Sequence, residues 1–265
     1  MPIRKALRRL VKQQRKHGAL WVRAFDKIRL LSSADGLSVL VTSILHSRDI
    51  HQTTTYTEPD RYPALFDYAV RIAPEADRIL SFGCATGEEI FSLRARFPGA
   101  EIIGVEINAR CRRIARRRLA GDKLSKVVST PPHSQRFDLI FALAVLQREP
   151  HRVIETDTRN LRSHYPFDRF DVTVARLVEL LAPQGILLVE HSQYRIEDWT
   201  GSAELKPLAD SPPASGPFFR PDGARHDDAT SATAFRKMSF AVDEDSVALA
   251  RIPRQSSRET RSTRS

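Results

Sequence analysis

Two short stretches carry the residue types from which a site for a charged small molecule can be built. The first is LSFGCATGEEIF, residues 80–91, where Gly83, Cys84, Ala85, Thr86 and Gly87 form a cluster of small residues between two apolar runs. Glycine lacks a Cβ, so the backbone there can turn sharply and approach a ligand. Main-chain N–H groups at the start of a following helix would then face that ligand. The stretch has neither the GxGxxG of a dinucleotide loop nor the GK[ST] of a phosphate loop. Glu88 and Glu89 follow directly, which makes the place poor for a pyrophosphate and better for a cationic group. The second is Glu106, 23 residues after Gly83 at the end of the apolar run EIIGVE. A carboxylate at such a position can take both hydroxyls of a ribose.

The elements that must position these residues can be read from the hydrophobic pattern. From Asp77 onward the pattern predicts a strand over 78–82, a helix over 88–97 stopped by Pro98-Gly99, and a strand over 101–106. It then predicts a helix over 109–120 stopped by Gly121, a short strand over 126–129, and a strand over 137–143 that is apolar on both faces. A helix over 167–181 ends at Pro183-Gln184-Gly185 and leads into a strand over 186–190. Repeated strand-then-helix units with non-alternating apolar strands imply a parallel sheet covered on both faces. A short helix over 63–72 precedes the first strand. Residues 200–225 hold five prolines and are expected to form an irregular excursion. Beyond it, TAFRKMSF and DSVALARI supply two expected late strands.

The chain has 265 residues and a formal charge of +10, and the charge is concentrated. Ten Lys/Arg face one acid over residues 1–29, six arginines and no acid fill 107–118, and five arginines face one acid over 251–265. Residues 3–17 read as an amphipathic basic helix, with Leu37 to Leu45 as a second helical stretch. No apolar run reaches membrane-spanning length and no secretory h-region is present. The two cysteines, Cys84 and Cys111, have no metal-like spacing. A cytoplasmic protein without a metal site is expected.

RILSFGCATGEEIF, IIGVEIN, FDLIFALAVLQ and LLAPQGILLVEHS together resemble the class I S-adenosylmethionine-dependent methyltransferases over residues 75 to 195. The resemblance implies an α/β, doubly wound, mostly parallel seven-stranded sheet of the Rossmann-like methyltransferase type, with the last strand antiparallel. It implies S-adenosyl-L-methionine as cofactor. The family's glycine loop falls on Gly83–Gly87 and its ribose acid on Glu106. The expected cofactor contacts are Gly83, Cys84, Ala85, Thr86, Gly87, Glu88, Glu106, Ile107, Ser129, Thr130, Ala142 and Leu143. GCATGEE also resembles the loop of the chemotaxis-receptor glutamate methyltransferases, with TTTY at 53–56 before it and HSQY at 191–194 after strand five. Two departures stand out. Ser81 replaces the acid that many members carry at the end of strand one, and Ser129, Thr130 and Pro131 stand where an adenine-side acid is often found. In the absence of the first acid, Glu88 is expected to approach the cofactor's amino group.

The implied organisation is a basic helical extension over 1–60, a methyltransferase domain over 61–252, and a disordered basic tail over 253–265. Methyl transfer is an in-line displacement driven mainly by orientation, so no catalytic signature is required. Acceptor-site candidates follow strands four and five: Gln147, His191 and Tyr194. His51 and Tyr56 could close over the cofactor, and the stretch from Gln147 to Asp171, with its HYPFDRF tip, is the expected acceptor-binding insertion. The acceptor is expected to be a small molecule or a protein side chain. Alternatives are a nucleic-acid acceptor reached through the basic arm and a catalytically silent cofactor binder of the same fold.

Overall fold

A computed structural model describes residues 57–227 and 230–239. The expectations for 1–56 and 240–265 (the basic helix, the second helical stretch, His51, Tyr56, TTTY, DSVALARI and the tail) lie outside the described residues.

The strands are β1 Arg78–Phe82, β2 Glu101–Val105, β3 Ser125–Val128, β4 Phe137–Leu143, β5 Leu181–Glu190, β6 Leu205–Pro207, β7 Pro213–Ser215, β8 Thr230–Ala232 and β9 Ala234–Lys237. The helices are α1 Pro63–Ile72, α2 Glu88–Arg96, α3 Ala109–Arg118, α4 Pro150–Glu155 and α5 Phe167–Leu180. Seven strands form one sheet in the order β3-β2-β1-β4-β5-β9-β6. The first five pair in parallel, and β9 runs antiparallel to both β5 and β6. Strand order reverses between β1 and β4, where an open sheet places its ligand crevice.

Burial explains why these segments pair. Six of the seven residues of β4 are buried, as a central strand packed on both faces requires. On one face Phe141, Leu143 and Leu188 meet Phe66 of α1 and Ile90 of α2. On the other, Leu80, Ile140 and Leu187 meet Phe170, Val174 and Leu177 of α5. Asp138 breaks the apolar run for a reason: its Oδ2 accepts from the N–H groups of Asp77 and Arg78 at 3.0 and 2.9 Å. That contact fixes where β1 begins beside β4.

Three sequence expectations are corrected. The strand predicted from Ile186 extends back to Leu181, because Leu181 pairs with Phe137 and the Pro-Gln-Gly turn is accommodated as a bulge, with Gln184 at φ 63. The proline-rich excursion contributes β6 to the main sheet and β7 to a two-stranded sheet with β8. Pro207 has no N–H to give a ladder, so it fits an edge strand despite reading as a loop residue. The HYPFDRF tip is not presented outward: Tyr165 and Phe170 are fully buried, because packed aromatic rings gain more from apolar burial than from solvent.

Candidate cofactor loop and acceptor mouth

The loop after β1 is held by backbone. The N–H groups of Gly83 and Cys84 both donate to the Val105 carbonyl, at 2.9 and 3.0 Å, and Gly87 N donates to the Cys84 carbonyl at 2.9 Å. Gly83, Ala85 and Gly87 all have left-handed backbone, at φ 87, 45 and 97. At Gly83 glycine is required twice over, since a Cβ there would lie 2.8 Å from Cγ2 of Val145 in the loop after β4. Gly104 of β2 serves the same packing from below. A Cβ on it would meet Ile90 Cδ1 at 2.5 Å and Cys84 Sγ at 2.7 Å. Cys84 itself is buried, which pushes its thiol well above the ordinary range, so its contribution to a ligand site is main chain alone.

Glu106 bridges loop and helix. One carboxylate oxygen accepts from Ala85 N at 3.0 Å and the other from Asn108 N at 2.6 Å. Burial raises its pKa, and those two N–H donors oppose the rise. Asn108 in turn caps α3, accepting from Arg110 N and Cys111 N. Ser129 and Thr130 follow β3 immediately beside this point, both exposed, with Glu106 N donating to the Val128 carbonyl at 3.0 Å. Ile107 is half-buried, and its carbonyl is taken by Arg112.

The two loop glutamates diverge. Glu88 accepts from Thr86 Oγ1 at 2.7 and 2.9 Å and pairs with Arg118. Burial would raise its pKa, but Thr86 and Arg118 hold it below the ordinary value. The Glu88 carboxylate is therefore committed to protein partners. Glu89 takes the place left open by the short side chain at the end of β1, accepting from Ser81 Oγ at 2.7 Å. Its carboxyl end is enclosed, and burial, opposed by the Ser81 hydrogen bond, pushes it up to about 8. Among the described residues no Lys or Arg pairs with it.

Beyond β4 and β5 the structure separates the three acceptor-site candidates. Gln147 is buried and donates from Nε2 to the Ala144 carbonyl at 3.1 Å. Tyr194 is fully buried among Tyr165, Phe167 and Phe170, and its hydroxyl donates to the Tyr165 carbonyl. Both are packing residues in this fold. His191 differs: its side chain is 43% exposed, and Nδ1 lies 3.0 Å from the Tyr62 hydroxyl. It stands at φ 52, and Ala144, the first residue after β4, whose N–H donates to the Glu190 carbonyl at 2.9 Å, stands at φ 53. Two adjacent non-glycine residues in left-handed backbone are uncommon, and such strain clusters at functional sites. Ala142 and Leu143, just before this mouth, are buried, so only their main chain can border a ligand.

Tyr62 and Glu190 were missed by sequence reasoning. Glu190 ends the run ILLVE much as Glu106 ends EIIGVE, a parallel that could have found it. Its Oε1 accepts from Ser215 N of β7 at 3.3 Å, and burial raises its pKa. Tyr62 has no local signal, being 129 residues from its partner. The arginines of α3 are largely spoken for. Arg112 donates to the Glu106 and Ile107 carbonyls, Arg116 to Val127, and Arg118 to Thr86. Among the described residues no group of three or more His, Cys, Asp or Glu is placed to hold a metal. No described helix is long and apolar enough to cross a membrane.

A doubly wound sheet with an antiparallel strand beside β5, a glycine loop after β1 and an acid after β2 defines the class I methyltransferase architecture. A family model described as "Methyltransferase domain" matches residues 55–239. The chain belongs to that family. Among curated proteins it is 31% identical to a trans-aconitate 2-methyltransferase of Variovorax paradoxus over 126 residues, 47% of this chain and 42% of that one. It is also 31% identical to a trans-aconitate 2-methyltransferase of Methylobacterium radiotolerans over 140 residues, 51% of this chain and 46% of that one. The chain thus spans less than half the length of these relatives. The N-methyltransferase NodS from Bradyrhizobium japonicum is similar at 16% identity and a TM-score of 0.43, over 68% of this chain and 99% of that one.

Proposed function

We propose that the protein transfers the methyl group of S-adenosylmethionine to a small-molecule acceptor. The observation that carries this reading is the Glu106 bridge, a carboxylate at the end of β2 hydrogen-bonded to Ala85 N inside a loop of left-handed small residues. The relatives' printed names support a small molecule over a protein side chain or a nucleic acid. The occupied guanidinium groups of Arg112, Arg116 and Arg118 weaken the nucleic-acid alternative further.

The residues present fit the cofactor. S-adenosylmethionine brings a ribose diol, an ammonium and a transferable methyl on a sulfonium. Glu106 keeps lone pairs beyond those used by Ala85 and Asn108 and suits the diol. Glu89, enclosed with a single hydroxyl partner, suits the ammonium, taking the place that sequence reasoning gave to Glu88. The main chain of Gly83–Gly87 borders the amino-acid end, with Ala142 and Leu143 beneath. Ile107, Ser129 and Thr130 border the adenine side. An opposite charge near Glu89 favours its ionised form, so binding and loss of the Glu89 proton are coupled. The two thiols, both free, are in keeping with a cytoplasmic setting. Calorimetric titration with S-adenosylhomocysteine tests the reading: saturable binding is expected, and no binding by the full chain rejects it.

A further inference from the structure

At the mouth beside β5 the charged and titratable groups are of unusual composition. Glu190 reaches it from β5, Tyr62 from the segment before α1, and His191 from the turn after β5. Among the described residues no Lys or Arg pairs with Glu190. Arg61 lies over the outer face of the Tyr62 ring, 5.2 Å from its centroid. Glu190 Oε1 lies 3.9 Å from Nδ1 of His191. A carboxylate on that side favours a proton on Nδ1, and the Tyr62 phenol oxygen, 3.0 Å away, accepts it. In that tautomer the lone pair of His191 sits on Nε2, and the imidazole is 43% exposed.

We propose that His191, oriented by Tyr62, is the base that deprotonates the methyl acceptor, and that the acceptor is an amine that enters as its ammonium form. The proposal rests on the methyltransferase reading above and adds the acceptor's chemistry to it. With Glu89 left to the cofactor's ammonium, Glu190 at the mouth attracts a cation and repels a carboxylate. The ammonium gives one proton to Nε2 and becomes a neutral amine. The amine nitrogen then forms a bond to the methyl carbon as the carbon–sulfur bond of S-adenosylmethionine breaks. That bond's electron pair stays on sulfur, leaving a neutral thioether and an N-methylammonium product. The imidazolium passes its proton to solvent. A carboxylate acceptor would need no base and would meet the like charge of Glu190.

Burial and Arg61 lower the His191 pKa, so the imidazole is neutral and able to accept at neutral pH. Ring-nitrogen NMR on histidine-labelled, cofactor-free full-length protein tests this without any acceptor, the His191 signals being identified by their loss in His191→Gln. Expected are the Nδ1–H tautomer at neutral pH and titration below the ordinary histidine range. An Nε2–H tautomer, or titration at or above that range, overturns the base assignment. Methyl-tritiated S-adenosylmethionine incubated with a small-molecule extract tests the acceptor. Label that resists alkali and is retained on a cation exchanger supports an amine, whereas label released by alkali as methanol, or held in a neutral product, overturns it. His191→Gln should lose turnover on the order of a hundredfold while binding S-adenosylhomocysteine within about twofold of the parent. Tyr62→Phe should move the His191 tautomer balance and pH profile, which a purely structural role would leave in place. Failure of the parent to bind S-adenosylhomocysteine would instead remove the methyltransferase reading and leave the ring-nitrogen result standing.

Discussion

The glycine loop and the mouth beside β5 lie along the same edge of one sheet, yet they are assembled by opposite means. The loop is main chain held by main chain, by the Glu106 carboxylate and by the Arg118 guanidinium, all within residues 83–118. The mouth is side chains brought together from far apart, with Tyr62 on His191 and Ser215 on Glu190. The first arrangement tolerates changes of side chain at loop positions whose side chains hold nothing, but not of backbone conformation. The second tolerates neither loss of a functional group nor a shift of the elements that carry it.

Breaking the loop should have the largest effect. Gly83→Val places a β-branched residue at φ 87 against Val145 and should cost about 3 kcal/mol of stability. Gly99→Ala, where an added Cβ meets nothing within 4 Å, should change stability by less than about 0.5 kcal/mol. Denaturant melts of the two variants check the contrast. Glu106→Ala removes acceptors from Ala85 N and Asn108 N and should weaken S-adenosylhomocysteine binding on the order of a hundredfold; titration calorimetry reads this. Glu89→Gln tests the boundary between the two regions, because its effects on stability and binding should differ in sign. The folded-state value of Glu89, about 8, lies above the ordinary 4.5. Its neutral form is at home at low pH, and enclosing the group costs progressively more as pH rises from the ordinary value toward about 8. Parent and variant should melt together near about pH 4, and the variant should melt several degrees higher near about pH 8 while binding the cofactor less well. Among the disruptive variants the smallest effect belongs to Tyr194→Phe. It should cost about 1 kcal/mol by removing the hydroxyl's bond to the Tyr165 carbonyl, with KM for the acceptor unchanged.

The legibility of each region follows from the same contrast. The strands of the first half could be read to within a residue or two, because parallel strands between helices leave long apolar runs and sharp stops at Pro98 and Gly121. The loop was legible for the same reason: a local motif encodes a local backbone. Pro207 misled because proline marks a loop in the sequence but also suits an outer strand. HYPFDRF misled because polar neighbours hid aromatic residues that turn inward. Gln147 and Tyr194 were placed near the right strand ends, but their side-chain directions depend on packing from 160–180 that no local pattern records. Glu88 and Glu89 are adjacent, and the roughly 100° between consecutive helix positions separates a carboxylate fixed by Arg118 from one enclosed beside Ser81. The short residue at 81 was the clue to which was which.

Helix α3 makes the character of its positive charge, and not just its amount, a structural requirement. One nitrogen of Arg112, Nη1, donates to two successive carbonyls, those of Glu106 and Ile107, and Nη1 of Arg118 donates to the Thr86 carbonyl and the Glu88 carboxylate. A lysine Nζ sits one bond nearer the backbone than Nη1, so from the same positions it falls short of those acceptors. A lineage drifting from arginine to lysine along this helix would keep the same net charge at neutral pH. It would nonetheless unfasten the helix from the glycine loop and from the residues after β2, a loss that charge counting would never register.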